Sequence, residues 1–370
     1  MKNIVILILC TLLLVSCGAQ KMLIKAPKHD LDPLPVPVQV SRGDDPLEKD
    51  QWSLKAIGAY EAWDAFQASK AVTVMIAGTG IDYNHEDLRD NVLVNYKELN
   101  SLDENTRSPF NNQDDDNDGL VDNIVGQDFV NDDGLAYDNY GHDTYLAGVI
   151  AAVHGNGKGI KGILKKVSLY PVKYIDQNGR STFPFLLRTI KLINTVRPHV
   201  ALLNLVNLKV TDLEKELLRT ELELLKTKGV PLVIGAGNSD ELLRADGQKV
   251  RSLFYEFENV FVVTSINAQK QKAWPANYSA QFVHTTAPGH DILTTAPGNK
   301  YKSVQGANLA AAHVAAALAL ASSEFSGQKS YKDYFDCLLS APGSEELPQL
   351  NNLVLGRNTL NLMKFLSALN

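Results

Sequence analysis

Apolar residues along the chain occur in short runs that alternate with stretches of helical spacing. Runs of mostly apolar residues, several of them ending at Gly, are typical of buried strands and lie at 72–78, 168–175, 199–206, 230–237 and 260–266. The segments 185–196 and 212–229 carry apolar residues at helical spacing, and Asp212 and Gly229 are suitable end residues for the second of them. This alternation predicts a parallel sheet that is covered by helices on both faces.

A further helix is predicted near the C-terminal end, in the segment SVQGANLAAAHVAAALALASS (303–323). The stretch from Leu309 to Ala321 contains neither Pro nor Gly and is apolar throughout except for His313, which we interpret as a packed core histidine. Asn308 immediately precedes this stretch. Because an Asn side chain readily accepts a hydrogen bond from a free N–H at a helix start, Asn308 is the predicted N-cap.

Several polar or Gly-rich segments follow predicted strands or open predicted helices. In parallel sheets, ligands and catalytic groups collect beyond the carboxyl ends of the strands. The candidate segments are AGTGIDYNHEDL (77–88), DNYGHDTYLAGVIAA (138–152), GAGNSD (235–240) and GAN (306–308).

The first residues, MKNIVILILCTLLLVSCGAQ, are typical of an export signal and not of a folded domain. Lys2 supplies the positive start, and the apolar stretch up to Val15 is shorter than a normal membrane span. The motif Leu14-Val15-Ser16-Cys17 is similar to a bacterial lipobox, so we expect a signal peptide at 1–16 and a lipid on Cys17. An ordinary secretory signal or an uncleaved anchor is the alternative. Residues 17–50 are polar and Pro-rich and are predicted to be a tether.

Composition limits the possible classes of protein. With 45% hydrophobic and 21% charged residues, the chain is expected to be globular, and its net charge of −6 offers no basic surface for nucleic acid. Of the three cysteines, Cys10 lies in the predicted signal and Cys17 is the predicted lipidation site. Only Cys337 remains, so no intramolecular disulfide is expected.

Taken together, the segments from about residue 45 to 370 resemble the subtilase family of serine peptidases. VTVMIAGTGIDYNHEDL is similar to the catalytic-Asp segment, YGHDTYLAGVIAA to the catalytic-His segment, VPLVIGAGNSD to the oxyanion-Asn segment and GANLAAAHVAAALA to the nucleophile helix. The order of these segments also matches. The resemblance implies an α/β fold, a three-layer subtilisin-like domain at 51–370 with a mostly parallel central sheet and helices on both faces.

Matched residue by residue, the resemblance places His142 at the catalytic His and Asn238 at the oxyanion Asn. Gly78 stands where the family has the catalytic Asp, and Asn308 stands where it has the nucleophilic Ser. The family's Ser-x-Gly segment, which lines the peptide-binding edge, corresponds to Val206-Asn207-Leu208 and has also changed.

These replacements predict that the peptidase chemistry is lost. Acyl transfer needs a hydroxyl that His can deprotonate and a carboxylate that orients the imidazole. In subtilisin, loss of the Ser alone is known to cost on the order of 10⁶ in kcat. Asp143 follows His142 directly and Asp82 lies four residues after Gly78, so either carboxylate is a candidate to approach the imidazole. Neither supplies a nucleophile, and Ser303 cannot be placed from sequence. Asn238 has an alternative role in holding a turn.

The run NNQDDDNDGLVDNIVGQDF is similar to the first nine positions of a calcium loop. Its twelfth position is Val125 instead of Glu, which departs from a standard EF-hand. We expect structural calcium here, and the alternative is a solvated acidic turn. The predicted ligands are Asp114, Asp116, Asp118, the Leu120 carbonyl and Asp122.

The sequence therefore predicts a lipid-anchored protein of the bacterial envelope, attached to a membrane and facing the periplasm or the exterior. We expect a pseudopeptidase that acts in binding or scaffolding, with a protein partner in the envelope. The alternatives are a degenerate serine endopeptidase with residual or rearranged activity, and a calcium-stabilised structural lipoprotein without a dedicated ligand.

Overall fold

A computed structural model of the chain describes residues 32–36, 42–66, 70–103, 108–245 and 249–370. The predicted signal peptide and the lipidation site Cys17 lie outside the described residues. Among the residues that are described, no helix is both long enough and apolar enough to cross a bilayer.

Eleven strands occur in the described part of the chain. They are β1 (Thr73–Gly78), β2 (Gln127–Asp128), β3 (Ser168–Lys173), β4 (Val200–Leu203), β5 (Leu232–Gly235), β6 (Val260–Ile266), β7 (Thr285–Pro288), β8 (Ile292–Ala296), β9 (Lys300–Val304), β10 (Ser344–Glu346) and β11 (Asn358–Leu360). Nine of them form one sheet in the order β10-β11-β7-β6-β5-β4-β1-β3-β2, while β8 and β9 form a separate antiparallel pair. Only β10 runs antiparallel to its neighbour in the large sheet, so the predicted mostly parallel sheet is confirmed.

The α-helices of the described residues are α1 (Trp52–Ala56), α2 (Ala59–Ala65), α3 (Tyr96–Asn100), α4 (His142–Ala151), α5 (Phe183–Val196), α6 (Asp212–Thr227), α7 (Val250–Phe254), α8 (Ala307–Phe325), α9 (Tyr331–Leu339) and α10 (Leu362–Leu369). The predicted helices at 185–196 and 212–229 correspond to α5 and α6. A capping box between Thr211 and Glu214 begins α6.

Two hydrophobic cores lie on opposite faces of the sheet, and alternate residues of β1 contribute to each. Val74 and Ile76 belong to the core that contains α4, α8 and α10, whereas Met75 and Ala77 belong to the core with α5 and α6. Because side chains of a strand point alternately to its two faces, a strand buried on both sides reads as one continuous apolar run. The three-layer architecture predicted from the sequence is therefore confirmed.

Helix α8 corrects one detail of the sequence-based interpretation. It begins at Ala307, so Asn308 lies within its first turn and is not the N-cap. The N-cap position is Gly306, whose φ of 151° favours glycine, and the Ala307 N–H donates to Asn238 Oδ1 at 2.9 Å. The side chain of Asn308 is therefore free of a capping role.

His313 lies in the core on α8, fully buried, with its Nδ1 2.8 Å from the Leu309 carbonyl oxygen. Burial lowers the pKa of His313 to about 4. Below about pH 6.5 the unfolded chain binds a proton that the folded chain does not. Stability is therefore lost as pH falls from about 6.5 towards 4, by at most about 1.4 kcal/mol per pH unit for this group.

We expect the variant His313→Leu to lose that contribution, because it removes the titrating imidazole at similar volume. The measurement is the free energy of unfolding from urea titrations at several pH values between 4.5 and 8. The difference between the variant and the parent should change with pH below 6.5 and be constant above it. A difference that is constant over the whole range would contradict the assignment.

The described parts of the predicted tether contact the folded domain. In residues 32–36, Asp32 lies near the buried Lys173 at 3.4 Å, and the hydroxyl of Tyr83 donates to the Pro33 carbonyl. In residues 42–50, the Asp45 carboxylate accepts from the Gly155 N–H at 2.8 Å. Both segments therefore pack against the helices and strands that follow them in the chain.

Candidate functional site

Four elements converge at the carboxyl edge of the sheet. Strand β1 ends at Gly78, and Asn204 follows the end of the neighbouring strand β4. Helices α4 and α8 start at the same edge and bring His142 and Asn308 to it. The arrangement agrees with the expectation that functional groups collect beyond the carboxyl ends of parallel strands.

Asp143 is the partner of His142 at this edge. Its Oδ1 lies 2.8 Å from Nδ1 of His142, and its Oδ2 accepts from the Thr79 N–H at 2.8 Å. The Asp143 N–H in turn donates to Thr79 Oγ1 at 3.1 Å. The carboxylate is fully buried, while the imidazole is 28% exposed. One fixed carboxylate thus orients the imidazole.

Because Gly78 has no side chain, the Asp143 carboxylate can occupy the space beside its Cα. A Cβ added to Gly78 would lie 2.7 Å from Asp143 Oδ1 and closer still to Oδ2. Any side chain at position 78 is therefore incompatible with the observed position of Asp143. The carboxylate partner of the imidazole comes from α4 in this chain, and not from the end of β1.

Asn308 contacts the other side of the imidazole. Its Nδ2 lies 3.3 Å from Nε2 of His142 and donates to Asn204 Oδ1 at 2.8 Å. Its Oδ1 faces Gly235 at the end of β5, where an added Cβ would overlap it. The carboxamide therefore fills the gap between β4, β5 and His142.

These contacts favour one tautomer of His142. A neutral imidazole has one N–H and one lone pair. Since the carboxylate of Asp143 can only accept, Nδ1 carries the hydrogen and donates to it, and the Nε2 lone pair accepts from the Asn308 amide. Asn204 Nδ2 also lies 3.1 Å from Nδ1. The lone pair that a general base would use is therefore occupied by a hydrogen-bond donor.

A nucleophile is not found beside this base. Among the described residues, the side chains with a polar atom within hydrogen-bond distance of a His142 ring nitrogen are Asp143, Asn204 and Asn308, and none is a hydroxyl or thiol. Because Nδ1 donates to Asp143, the Asn204 amide nitrogen only lies beside it and forms no hydrogen bond with it. Ser303 is exposed on β9 and lines a cleft of about 330 Å³ together with His142, without a hydrogen bond to it.

The side chain of Asn238 contacts the first residue of α8, Ala307. Its Oδ1 accepts from the Ala307 N–H, and the residue lines clefts on both sides of the site. The contact satisfies one of the free N–H groups at the helix start. Asn238 therefore has a structural role in this chain whether or not it also faces a ligand.

Polar residues around α4 hold its first turn in place. The buried Asp138 accepts from the Gly141 N–H and from the N–H and Oγ1 of Thr144. Burial raises the pKa of Asp138, and the nearby charge of Asp143 raises it further. The rotation of α4, and so the position of His142, is fixed by these bonds.

A cleft of about 1020 Å³ opens beside the site. Its walls include the segment Val206-Asn207-Leu208, Ser239 and residues 241–245, and Asn204, Asn238 and Asn308 of the site also line it. The position predicted from the sequence for a peptide-binding edge therefore lines the large cleft. A volume of this size is at the upper end for ligand pockets.

The acidic loop brings only part of the predicted ligand set together. Asp114 and Asp116 lie within 4.8 Å of each other and of Glu98, a buried residue of α3 that the sequence analysis did not include. Asp118 contacts the side chain of Asn123 instead.

Asp122, another predicted ligand, faces other groups. Its carboxylate accepts from the N–H groups of Asn111 and Asn112. Leu120 is buried, and its N–H donates to Asp118 Oδ1 at 2.8 Å. Burial raises the pKa of Glu98 to about 7, and the neighbouring carboxylates add to the effect. Glu98 lies 16 residues before Asp114, so the spacing within the Asp run gives no signal for it.

Comparison with known proteins gives a consistent result. The family model described as the subtilase family, Peptidase_S8, matches residues 69–334. The chain is 28% identical over 325 residues to "Subtilisin-like protease 1" of Plasmodium falciparum (isolate 3D7), covering 82% of this chain and 45% of that protein. It is 27% identical over 275 residues to "Major intracellular serine protease" of Bacillus subtilis (strain 168), covering 72% and 73%. The chain thus spans less than half of the first of these relatives.

Proposed function

This chain belongs to the subtilase family, and from that premise we propose that it is a pseudopeptidase that acts by binding or scaffolding. The observation that carries the proposal is the Asn308 carboxamide at the nucleophile position, with its Nδ2 on the Nε2 of His142. A carboxamide nitrogen is a poor nucleophile, and its N–H occupies the lone pair that would accept a proton. The site therefore lacks both an attacking group and a free base.

The proposal is tested on the purified domain with labelled casein and a fluorophosphonate probe. We expect no hydrolysis above a buffer control and no covalent labelling, in parallel with an active subtilase as a positive control. Hydrolysis or labelling that disappears in the variant His142→Ala would overturn the proposal and favour the alternative of a degenerate serine endopeptidase. The His142→Ala control separates activity of this domain from a contaminating peptidase.

We also propose that the protein is lipid-anchored through Cys17 in the bacterial envelope and faces the periplasm or the exterior. The support is the lipobox-like sequence Leu14-Val15-Ser16-Cys17. When the full-length gene product is expressed in a bacterial host, metabolic labelling with a fatty-acid analogue should label the mature protein, and Cys17→Ser should abolish the label. Cys10→Ser is the matched control and should leave the label on the mature protein. Equal labelling of the Cys17→Ser chain would contradict the anchor.

A structural calcium ion at the acidic loop is a further part of the proposal. Glu98, Asp114 and Asp116 offer three oxygens of the hard type that calcium prefers. Since binding to the folded state alone stabilises it, calcium at about one hundred times its Kd should add about 2.7 kcal/mol to the free energy of unfolding.

The measurement is the calcium affinity by isothermal titration, together with the Tm in calcium and in chelator. Asp116→Asn should weaken calcium affinity at least tenfold. Asp122→Asn, whose carboxylate faces the backbone of residues 111 and 112, should leave the affinity within about twofold. A Tm that is the same in calcium and in chelator would show that the loop is a solvated acidic turn.

A further inference from the structure

The large cleft is positively charged. Among its described lining residues, Arg180, Arg244 and Lys249 are exposed, and Arg251 is half-buried. Glu241 is the single acidic side chain among those lining residues. The whole chain has a net charge of −6, so this surface has the opposite sign to the molecule that carries it.

Arg251 is the central group of this surface. Its guanidinium donates from Nη1 to the Gly235 carbonyl at the end of β5 and from Nη2 to the Leu205 carbonyl, at 2.9 Å, just after β4. Burial lowers the pKa of this arginine. No carboxylate in the described part of the chain forms an ion pair with it, so two neutral carbonyls and the neighbouring Tyr255 side chain are what compensate it.

A guanidinium in this position is suited to a carboxylate. The two carbonyl oxygens fix its plane by taking one N–H from each terminal nitrogen, and donors remain for another acceptor. An arginine held flat and partly desolvated binds a carboxylate with directional, charge-assisted hydrogen bonds. An incoming carboxylate would also supply the counter-charge that the described residues do not.

Apolar groups beside these charges favour a peptide over a simple anion. Val206, Leu208 and Leu242 line the same cleft, and Leu242 is 46% exposed. A free inorganic anion would use none of this apolar surface. A polypeptide segment can place its backbone and apolar side chains along these walls while one acidic side chain reaches the guanidinium.

We propose that this cleft binds a peptide segment of a protein partner, with a Glu or Asp side chain of that segment on Arg251. The inference rests on the proposed binding function and names the class of its partner. The exposed Arg244 and Lys249 attract the same acidic segment through longer-range charge.

The test uses three fluorescent peptides, acetyl-Ala-Leu-Ala-X-Ala-amide, in which X is Glu, Gln or Lys, and measures Kd by anisotropy at low and moderate salt. The Glu peptide should bind at least tenfold tighter than the Gln peptide, and the Lys peptide should bind weakest. Arg251→Gln should remove the preference for Glu. A Glu peptide that binds no tighter than the Gln peptide, including the case in which neither binds, overturns the proposal.

Because Arg251→Gln affects a packed residue, two exposed changes give an independent test. Arg244→Gln and Lys249→Gln should each weaken the Glu peptide several-fold and reduce the salt dependence of its Kd. Arg197→Gln, an exposed arginine in a different cleft, is the matched control and should have no effect. If both cleft variants bind the Glu peptide as the control does, the proposal is wrong.

Mass spectrometry of the same samples separates this inference from the proposed function. Cleavage of a peptide that depends on His142 would overturn the pseudopeptidase proposal while leaving the acidic preference standing. Intact peptides without acidic preference would overturn only the inference.

Discussion

Replacing Asn308 with Ser is expected to give the domain hydrolase activity and fluorophosphonate labelling that the parent lacks. The substitution removes the amide from Nε2 of His142 and supplies a hydroxyl at the nucleophile position. Asp143 already orients the imidazole at 2.8 Å. General-base assistance is worth about 10²–10⁴ in rate, so labelling of Asn308→Ser should exceed the parent background by a factor in this range.

Control variants identify which side chains the gained fluorophosphonate labelling requires. Asn308→Ala removes the same amide without adding a hydroxyl and should stay unlabelled. In the Asn308→Ser background, Asp143→Asn and His142→Ala should each remove most of the gained labelling. If Asp143→Asn labels as fast as Asn308→Ser alone, Asp143 is not the group that orients the imidazole.

The second large effect is expected at Gly78. Alanine at this position places a Cβ in the space of the Asp143 carboxylate, which is fully buried and held by Thr79 and His142. Overpacking a buried site costs typically about 1–3 kcal/mol, and displacing a bonded carboxylate adds to that cost. We expect Gly78→Ala to lower the free energy of unfolding by about 3 kcal/mol in urea titrations.

A double-mutant cycle shows whether this cost comes from Asp143. Removing the carboxylate with Asp143→Ala should make Gly78→Ala much less harmful, because the two groups compete for one space. The exchange variant Gly78→Asp with Asp143→Ala, in the Asn308→Ser background, should retain part of the gained labelling. Additive effects of Gly78→Ala and Asp143→Ala would contradict the shared position.

The sequence was sufficient to predict the central part of the fold because those strands are buried on both faces. β1, β3 and β6 follow the apolar runs closely, and α5 and α6 follow the helical spacing. By contrast, β7 is the short sequence Thr-Thr-Ala-Pro, which lacks an apolar run. Its hydroxyl groups are satisfied by residues distant in sequence, such as the Asn358 carbonyl that accepts from Thr286, and local pattern does not report such contacts.

The sequence offers His142 and Asn308 for this edge of the sheet, but it gives no signal for the contacts that connect them. His142 and Asn308 were identified by position, and Asp143 was one of two carboxylates considered for the imidazole. When each segment is compared with the family separately, Gly78 at the position of the catalytic Asp indicates that the imidazole has lost its carboxylate partner. Only the packing of α4 against β1 shows that the acid lies on the neighbouring element. Asn204 was read as part of an apolar strand, although it follows the strand end where polar groups collect.

The contact between Asp32 and Lys173 limits how far the domain can stand from its anchor. If Cys17 carries the lipid, a free chain up to residue 51 would extend at most about 115 Å from the bilayer, at about 3.4 Å per residue. With Asp32 held on the domain, only the chain from Cys17 to Asp32 remains, which extends at most about 50 Å. The surface around Lys173 would then lie within about 50 Å of the bilayer.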